Sequence, residues 1–363
     1  MSVRRVLVWV MLLCLVPVCA LAAPETPYDP GTVAQPMALS DGALRALEAL
    51  YPAVRRCEET ISLPAQTRYD DASAAMNCLT HNYPELFHLA NTWTIAYLQS
   101  APDYAVSVMP GYTMTAADYE ARLAQVLRIA QDMVDGTGGA PVDRAEALHD
   151  LLCLQVAYDG DETHEIDNTA AGALLSGVSR CEGYAQGLSL LYRLAGIPCG
   201  VVIGEAGDGE ELSRHAWNIA VIDGLPTLID ATWDDQEESG CVTHWYSGVT
   251  TAMMAADHFP DPEFAVPECA SLAVNWHARR GLLVSDDAGI YGALRRLARD
   301  GEVSIRFADE ALFDDFNSCT NDWFDRYNAM ADREDAFYGY YSVIYSEAQH
   351  CVLLRRVEGE MEP

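Results

Sequence analysis

The sequence predicts an α+β protein. Apolar residues recur at helical spacing in several separate segments. Two alternating runs, His215 to Ile222 and Leu225 to Asp230, flank an Asp223-Gly224 dipeptide, a strong signal for a tight β-hairpin. The chain has 363 residues, of which 50% are hydrophobic and only 21% charged. That allows a sizeable core and two or three domains, and it excludes a wholly disordered, collagen-like or coiled-coil chain.

The elements follow in chain order. Residues 1–23 read as a signal peptide. Arg4 and Arg5 form a positive start, Val6 to Val18 is nearly all apolar, and Ala20-Leu21-Ala22 is a small-x-small cleavage site. The apolar run is shorter than the ~20 residues of a membrane span, and no later stretch reaches ~18, so no stable membrane insertion is expected. Cys19 follows Val18 rather than a small residue, which argues against a lipoprotein. The reading places the mature protein outside the cytoplasm, secreted or extracytoplasmic. Residues 24–35 are rich in Pro, Thr and Asp and read as an exposed leader.

From Ser40 to Cys57, Leu44, Leu47, Leu50 and Val54 fall on one helical face. Ala72 to Tyr83 is a second short helix, stopped by Pro84. Ala90 to Val108 is rich enough in Thr, Ile, Tyr and Val to hold strands. Thr115 with Asp118 three residues on opens a helix to about Val134, and Pro141 to Val156 forms another. Ala170 to Leu175 is small and apolar. Cys181 to Ala195 is a helix with Tyr184, Leu188, Leu191 and Ala195 on one face and Gly196 as its stop. Gly200 to Gly204 is a buried strand, Glu205–Glu211 an acidic loop, and then comes the hairpin. Beyond a turn-rich stretch with Pro260, Pro262 and Pro267, the pattern restarts. Leu282–Val284, Val303–Phe307, Phe337–Ile344 and Val352–Arg356 read as strands and Ile290–Leu297 as a helix. The division is 24–140 mainly helical, 141–262 central and 263–363 a small α/β unit.

The charge is lopsided, with 54 Asp+Glu against 22 basic residues, all Arg, for a net −32. Such a surface repels phosphate backbones, so nucleic acid is not an expected partner. Setting aside Cys14 and Cys19, nine cysteines remain. In an oxidising compartment they invite disulfides, at least two of them. Nine is odd, so one thiol is left over, and Cys181 is the choice. Cys57–Cys78 and Cys319–Cys351 are pairings suggested by sequence proximity alone.

Three residues carry the chemistry. Cys181 begins a helix, where the partial positive charge and free N–H groups favour a thiolate and can bind an oxyanion. His215 opens one strand of the hairpin and Asp230 ends the other. With a two-residue turn, Ile222 faces Leu225 and Trp217 faces Asp230. His215 is then a diagonal neighbour of Asp230 on one face, Cα atoms about 7–8 Å apart. A helix N-terminus packed over that face brings Cys181 to the imidazole, giving nucleophile, base and orienting carboxylate. Such pairing makes the thiol reactive well below pH 8. Singly, each residue is unremarkable: a core thiol, a strand histidine, a cap before Thr232. His149, His164, His244 and His258 lack a zinc-ligand spacing, and no phosphate loop or Gly-x-Ser-x-Gly is present, so no metal or cofactor is expected.

These motifs resemble the transglutaminase-like superfamily of papain-like cysteine enzymes, in particular its exported bacterial members. The resemblance lies in Arg180-Cys181-Glu182-Gly183-Tyr184-Ala185, Leu194-Ala195-Gly196-Ile197-Pro198-Cys199, His215-Ala216-Trp217-Asn218 and Ile229-Asp230-Ala231-Thr232-Trp233-Asp234-Asp235. The spacings of 34 residues from Cys to His and 15 from His to Asp fit as well. Tyr83-Pro84-Glu85-Leu86-Phe87, Tyr158, His244-Trp245-Tyr246 and Asp257-His258 extend it. It implies a papain-like core over 141–262, a Cys-bearing helix packed on an antiparallel sheet, with Cys181 as nucleophile, His215 as base and Asp230 as orienting acid. Tyr158 or Trp93 is a candidate second oxyanion donor, and Tyr184 and Trp217 are candidate substrate contacts, although Trp217 and Trp233 read first as core. The implied activity is thiol-dependent acyl transfer at amide bonds of peptides or proteins, cell-wall peptide among the candidate substrates, ending in hydrolysis or crosslinking. The alternative is a non-catalytic surface-binding module on the same fold.

Overall fold

The computed structural model describes residues 36–159, 168–207, 211–236, 240–332 and 336–357. The signal-peptide and leader readings, and the middle of the acidic loop after Glu205, lie outside the described residues.

Helix α1 (Asp41–Arg55) starts where Ser40 caps it, its Oγ accepting from the Ala43 amide at 3.0 Å. Strand β1 (Ile61–Ser62) and helix α2 (Tyr69–Asn82) follow. A buried turn at Pro84–Leu86 leads into β2 (Leu89–Leu98) and β3 (Ala101–Tyr112), and the three strands form a sheet ordered β1-β3-β2. Within that turn, buried Glu85 accepts from Tyr51 Oη at 2.9 Å and pairs with Arg193 at 3.3 Å. The Tyr83–Phe87 motif thus ties the N-terminal layer to the centre.

Thr115 caps α3 (Ala116–Asp135), Pro141 opens α4 (Pro141–Gln155), and β4 (Ala157–Tyr158) pairs in parallel with β5 (Val178–Ser179). Helix α5 (Cys181–Leu194) is followed by β6 (Cys199–Ala206), β7 (Ser213–Ile222) and β8 (Leu225–Ile229). The short elements α6 (Ala231–Asp234), β9 (Asp235–Gln236), β10 (Cys241–Val242), β11 (Ser247–Val249), α7 (Thr251–Met254) and β12 (His258–Pro260) complete the centre. Its main sheet is antiparallel throughout, ordered β11-β8-β7-β6-β12, with α5 lying against β6 and β7. At Gly204 a Cβ would stand 2.2 Å from the Phe259 carbonyl oxygen and 2.8 Å from the Trp217 ring. The missing side chain is what lets β12 pair so closely with β6.

The C-terminal part holds α8 (Trp276–Arg280), β13 (Leu283–Val284), α9 (Asp287–Asp300), β14 (Glu302–Phe307), α10 (Glu310–Ser318), α11 (Thr320–Met330), β15 (Tyr340–Ser346) and β16 (Cys351–Val357). Its sheet is ordered β13-β14-β16-β15. The sequence pattern predicts no helices at α10 and α11. Their buried faces rest on aromatics, Phe313, Phe316, Trp323, Phe324 and Tyr327, rather than on an aliphatic stripe.

Three hydrophobic clusters hold the layers. One joins α1, α2 and the three-stranded sheet to Val201, Ile203, Trp217 and Ile219 of the central sheet. A second joins α3, α4 and α5. The third lies within the C-terminal sheet and helices. Leu47 and Leu50 are fully buried in the first, where truncation of such a side chain costs about 2–5 kcal/mol.

The disulfide expectation fails. No disulfide forms among the described residues, which include all nine cysteines beyond the leader. Cys78 lies on the buried face of α2, while Cys57 follows the end of α1, partly exposed. Cys319 sits at the α10–α11 junction with Sγ 3.0 Å from the Asp315 carbonyl, whereas Cys351 is buried at the start of β16. Proximity in sequence leaves both pairs unbonded. The odd count therefore gives Cys181 no distinction; its geometry must do so.

Candidate active site

Helix α5 begins at Cys181 itself. Its buried face, Tyr184, Leu188 and Leu191, sets its rotation, and Gly196 at φ 78° ends it. Three side chains fix its position. Asn218 Nδ2 on β7 donates to the carbonyls of Ala185 at 2.8 Å and Gly200 at 3.2 Å. Gln186 Nε2 donates to Thr80 O at 3.1 Å, and Glu182 pairs with His81 at 2.6 Å, linking α5 to α2. Cys181 is left half-buried at the helix start.

The hairpin has the expected register. Ile222 pairs with Leu225 and Asn218 with Ile229, around a turn with φ 52° at Asp223 and 78° at Gly224. Both turn residues are left-handed, as a two-residue turn of this kind requires. His215 Nε2 lies 2.6 Å from Asp230 Oδ2, and both residues are buried. Asp230 also caps α6: its Oδ1 accepts from the amides of Thr232 at 2.9 Å and Trp233 at 3.3 Å. With Nε2 against Asp230, Nδ1 is the ring nitrogen left for Cys181, which lies close enough to add to the rise in the His215 pKa. The fold thus brings Cys181, His215 and Asp230 together.

Burial opposes a charged His215, but the charge and hydrogen bond of Asp230, aided by Cys181, outweigh it and hold the imidazole up at about 10. Burial likewise opposes a charged Asp230, yet His215 and then His258 keep its carboxyl well below the usual carboxylate range. The result is a buried, fixed imidazolium–carboxylate pair with Cys181 on its other side.

The remaining residues named from sequence divide. Tyr158, on β4, is 46% exposed and lines an open cleft with Arg214, His215, Thr232, Trp233, Asp235 and Gln236. It pairs with Ser179 of β5, two residues before Cys181. Tyr184 is buried, its hydroxyl 2.7 Å from both the Val156 carbonyl and Asp235 Oδ2. It supports the helix and does not face the cleft. Trp217 is buried beneath the site, edge-on to His258 at 5.0 Å. Trp93, on β2, is half-buried against the same cluster as Cys181. Trp233 lies tilted against His215 at 5.3 Å and also lines a second cleft with Gln236, Tyr246, Ile344 and Tyr345. The two clefts share Trp233 and Gln236.

Two site residues had no assigned role in the sequence. His258 Nε2 lies 3.0 Å from Asp230 Oδ2, and its Nδ1 lies 2.6 Å from Asp257 Oδ1. The Asp257-His258 dipeptide was visible as a motif, but strand β12 reaches the site only by folding back beside β6. The histidines that lacked metal spacing also group in space. Potential ligand atoms of His215, Asp230 and His258 lie within 4.8 Å of one another, as do those of His149, Asp150 and His244. In both groups the facing nitrogens already meet carboxylate oxygens at 2.6–3.0 Å, which is hydrogen-bond geometry.

Residues 128–227 match the model of the Transglutaminase-like superfamily. Kyphoscoliosis peptidase of Mus musculus is 28% identical over 142 residues, covering 33% of this chain and 21% of that protein. The Homo sapiens protein of the same name is 29% identical with the same coverage. The chain thus spans about a fifth of the length of the curated relatives it matches. Among solved structures, the periplasmic domain of TgpA from Pseudomonas aeruginosa is 15% identical, with 41% of this chain and 68% of that one covered and a TM-score of 0.26. The similarity to the transglutaminase-like core thus spans residues 128–227, with Cys181 and His215 inside the matched stretch and Asp230 just beyond it.

Proposed function

We propose that the protein is an exported thiol-dependent acyl-transfer enzyme acting on amide bonds of peptides or proteins. One observation carries the reading: the His215 ring is held between Asp230 and Cys181 at the start of α5. The Cys181 Sγ, as a thiolate whose proton is held on His215 Nδ1, attacks the amide carbonyl carbon, and the N–H groups at the α5 N-terminus, with Tyr158 beside them, meet the developing oxyanion. His215 passes its Nδ1 proton to the leaving amine, the C–N bond breaks, and a thioester remains. His215 then takes a proton from water, the hydroxide resolves the thioester to the free acid, and the thiolate–imidazolium pair is restored.

Hydrolysis is favoured over crosslinking, because water is always present outside a cell whereas an acceptor amine must be selected. The name peptidase, borne by the relatives, supports the same choice. A net charge of −32 favours neutral or basic substrates over anionic polymers. The open cleft at His215, with Trp233 and Tyr158 on its walls, suits an extended peptide. The test is turnover of a panel of peptide amides by the wild type and Cys181→Ala. Loss of turnover with binding retained supports the proposal. Undiminished turnover in Cys181→Ala overturns it and leaves the binding-module reading.

A further inference from the structure

Asp230 carries one more hydrogen bond than orienting His215 requires. Its Oδ2 accepts from His215 Nε2 at 2.6 Å and also from His258 Nε2 at 3.0 Å. Behind His258 stands Asp257, with Oδ1 2.6 Å from Nδ1. Asp257 is itself fixed, since its Oδ2 accepts from Tyr246 Oη at 2.7 Å and from Gln349 Nε2 at 2.9 Å. Gln349 lies in the turn between β15 and β16, so the C-terminal unit supplies the last link. Asp230, His258 and Asp257 are all 2% exposed or less.

We infer that His258, held by Asp257, is a positioning residue for the proposed Cys181–His215 pair, because its Nε2–H fixes the Asp230 oxygen on which His215 is oriented. The inference rests on the proposed function and goes beyond the three residues that function names. Trp217, Trp233 and Tyr246 surround the His258 ring, with centroids at 5.0, 4.6 and 5.3 Å, and leave it no room to swing away. The groups facing it that bear charge or a proton are Asp230, Asp257, His215 and the Tyr246 hydroxyl. Burial disfavours a charge on His258, but hydrogen bonds to Asp230 and Asp257 outweigh it and raise its pKa. Both ring nitrogens face carboxylate oxygens, which accept, so Nε2 stands as a donor to Asp230. The backbone amides of Thr232 and Trp233 hold Oδ1; His258 does the corresponding work at Oδ2. Tilting this carboxylate turns the imidazole, and a misplacement of about 1 Å can cost on the order of a hundredfold.

The test needs no substrate. Iodoacetamide labelling of Cys181 in the full mature chain at pH 6, mapped by mass spectrometry, reports the assembled pair directly. Wild type against His215→Ala sets the scale, and equal rates there would defeat the proposed function itself. Given a fast wild type, His258→Phe keeps a ring but removes the donor, and labelling should slow about tenfold or more. His258→Gln restores an N–H donor and should recover most of the rate. Equal rates in the Phe and Gln variants, or a wild-type rate in the Phe variant, would overturn the inference. Should His258→Phe not fold, Asp257→Ala serves instead. It frees the His258 ring while leaving Asp230 in place, and an unchanged labelling rate there is equally fatal.

Discussion

The Nε2 of His215 lies 2.6 Å from Oδ2 of Asp230, across a hairpin closed by two left-handed residues. The bond fixes which ring nitrogen is available to Cys181. Replacing Asp230 by Asn keeps the shape but places an N–H₂ group where an acceptor is needed, which favours the wrong tautomer. In the proposed reaction Asp230→Asn should lower kcat by about 10³–10⁴ with KM little changed. Asp230→Ala should also cost about 1 kcal/mol of stability, because the α6 cap is lost. A kcat within tenfold of wild type for Asp230→Asn would exclude the assigned role.

The same pair fixes a pH dependence. His215 is raised from an ordinary 6.5 to about 10. A folded-state pKa above the unfolded one means that the stabilisation is fully present below pH 6.5 and is lost as pH rises through about 10. The stability difference between wild type and His215→Gln should therefore shrink between pH 7 and 10, in urea titrations at fixed ionic strength. The acid form of His215 should also persist to about pH 10, so kcat/KM should not fall near pH 7. A basic limb centred near 6.5 would contradict the paired geometry.

The site was legible in the sequence where local rules act. Asp223-Gly224 dictates the turn, the turn dictates register, and register places His215 beside Asp230. Gly196 and the Tyr184–Leu191 stripe do the same for α5. What escaped depends on distant layers. His258 reaches Asp230 only because β12 returns beside β6 at Gly204, and nothing local in the sequence states that pairing. The motif suggests Tyr184 as a substrate contact, yet its hydroxyl is engaged with Val156 and Asp235. Cysteine spacing misled for the same reason, since proximity along the chain says nothing about which layer each thiol enters.

Asn218 connects the two halves of the site. It is fully buried on β7 and donates to the Ala185 carbonyl of α5 and the Gly200 carbonyl of β6. Asn218→Ala strands both acceptors and should cost about 1–3 kcal/mol. The urea midpoint should fall with the m-value unchanged. Because α5 carries Cys181, labelling of that thiol at pH 6 should slow as well. Slower labelling without a stability loss, or the reverse, would show that the bond does not hold helix and strand together as one unit.

His88 supplies an acid-side prediction independent of the site. It is fully buried, its Nε2 donates to the Val54 carbonyl at 3.1 Å, and its ring stacks on Tyr119 at 3.5 Å. Burial drives its pKa down from 6.5 to about 4, only partly offset by the Val54 bond. Here the folded value lies below the unfolded one, so the protonated form favours the unfolded chain. Stability is present above pH 6.5 and declines as pH falls through about 4, by roughly 3 kcal/mol in total. His81 and His258 are raised instead and act in the opposite sense, so the raw pH profile mixes signs. The difference between wild type and His88→Gln removes that mixture, because both proteins share the other histidines. That difference should change by roughly 3 kcal/mol between pH 7 and 4, with wild type losing ground as acid is added. A flat difference curve would mean that His88 takes up its proton in the folded state as readily as in the unfolded chain, which a ring sealed between Val54, Tyr112 and Tyr119 cannot do.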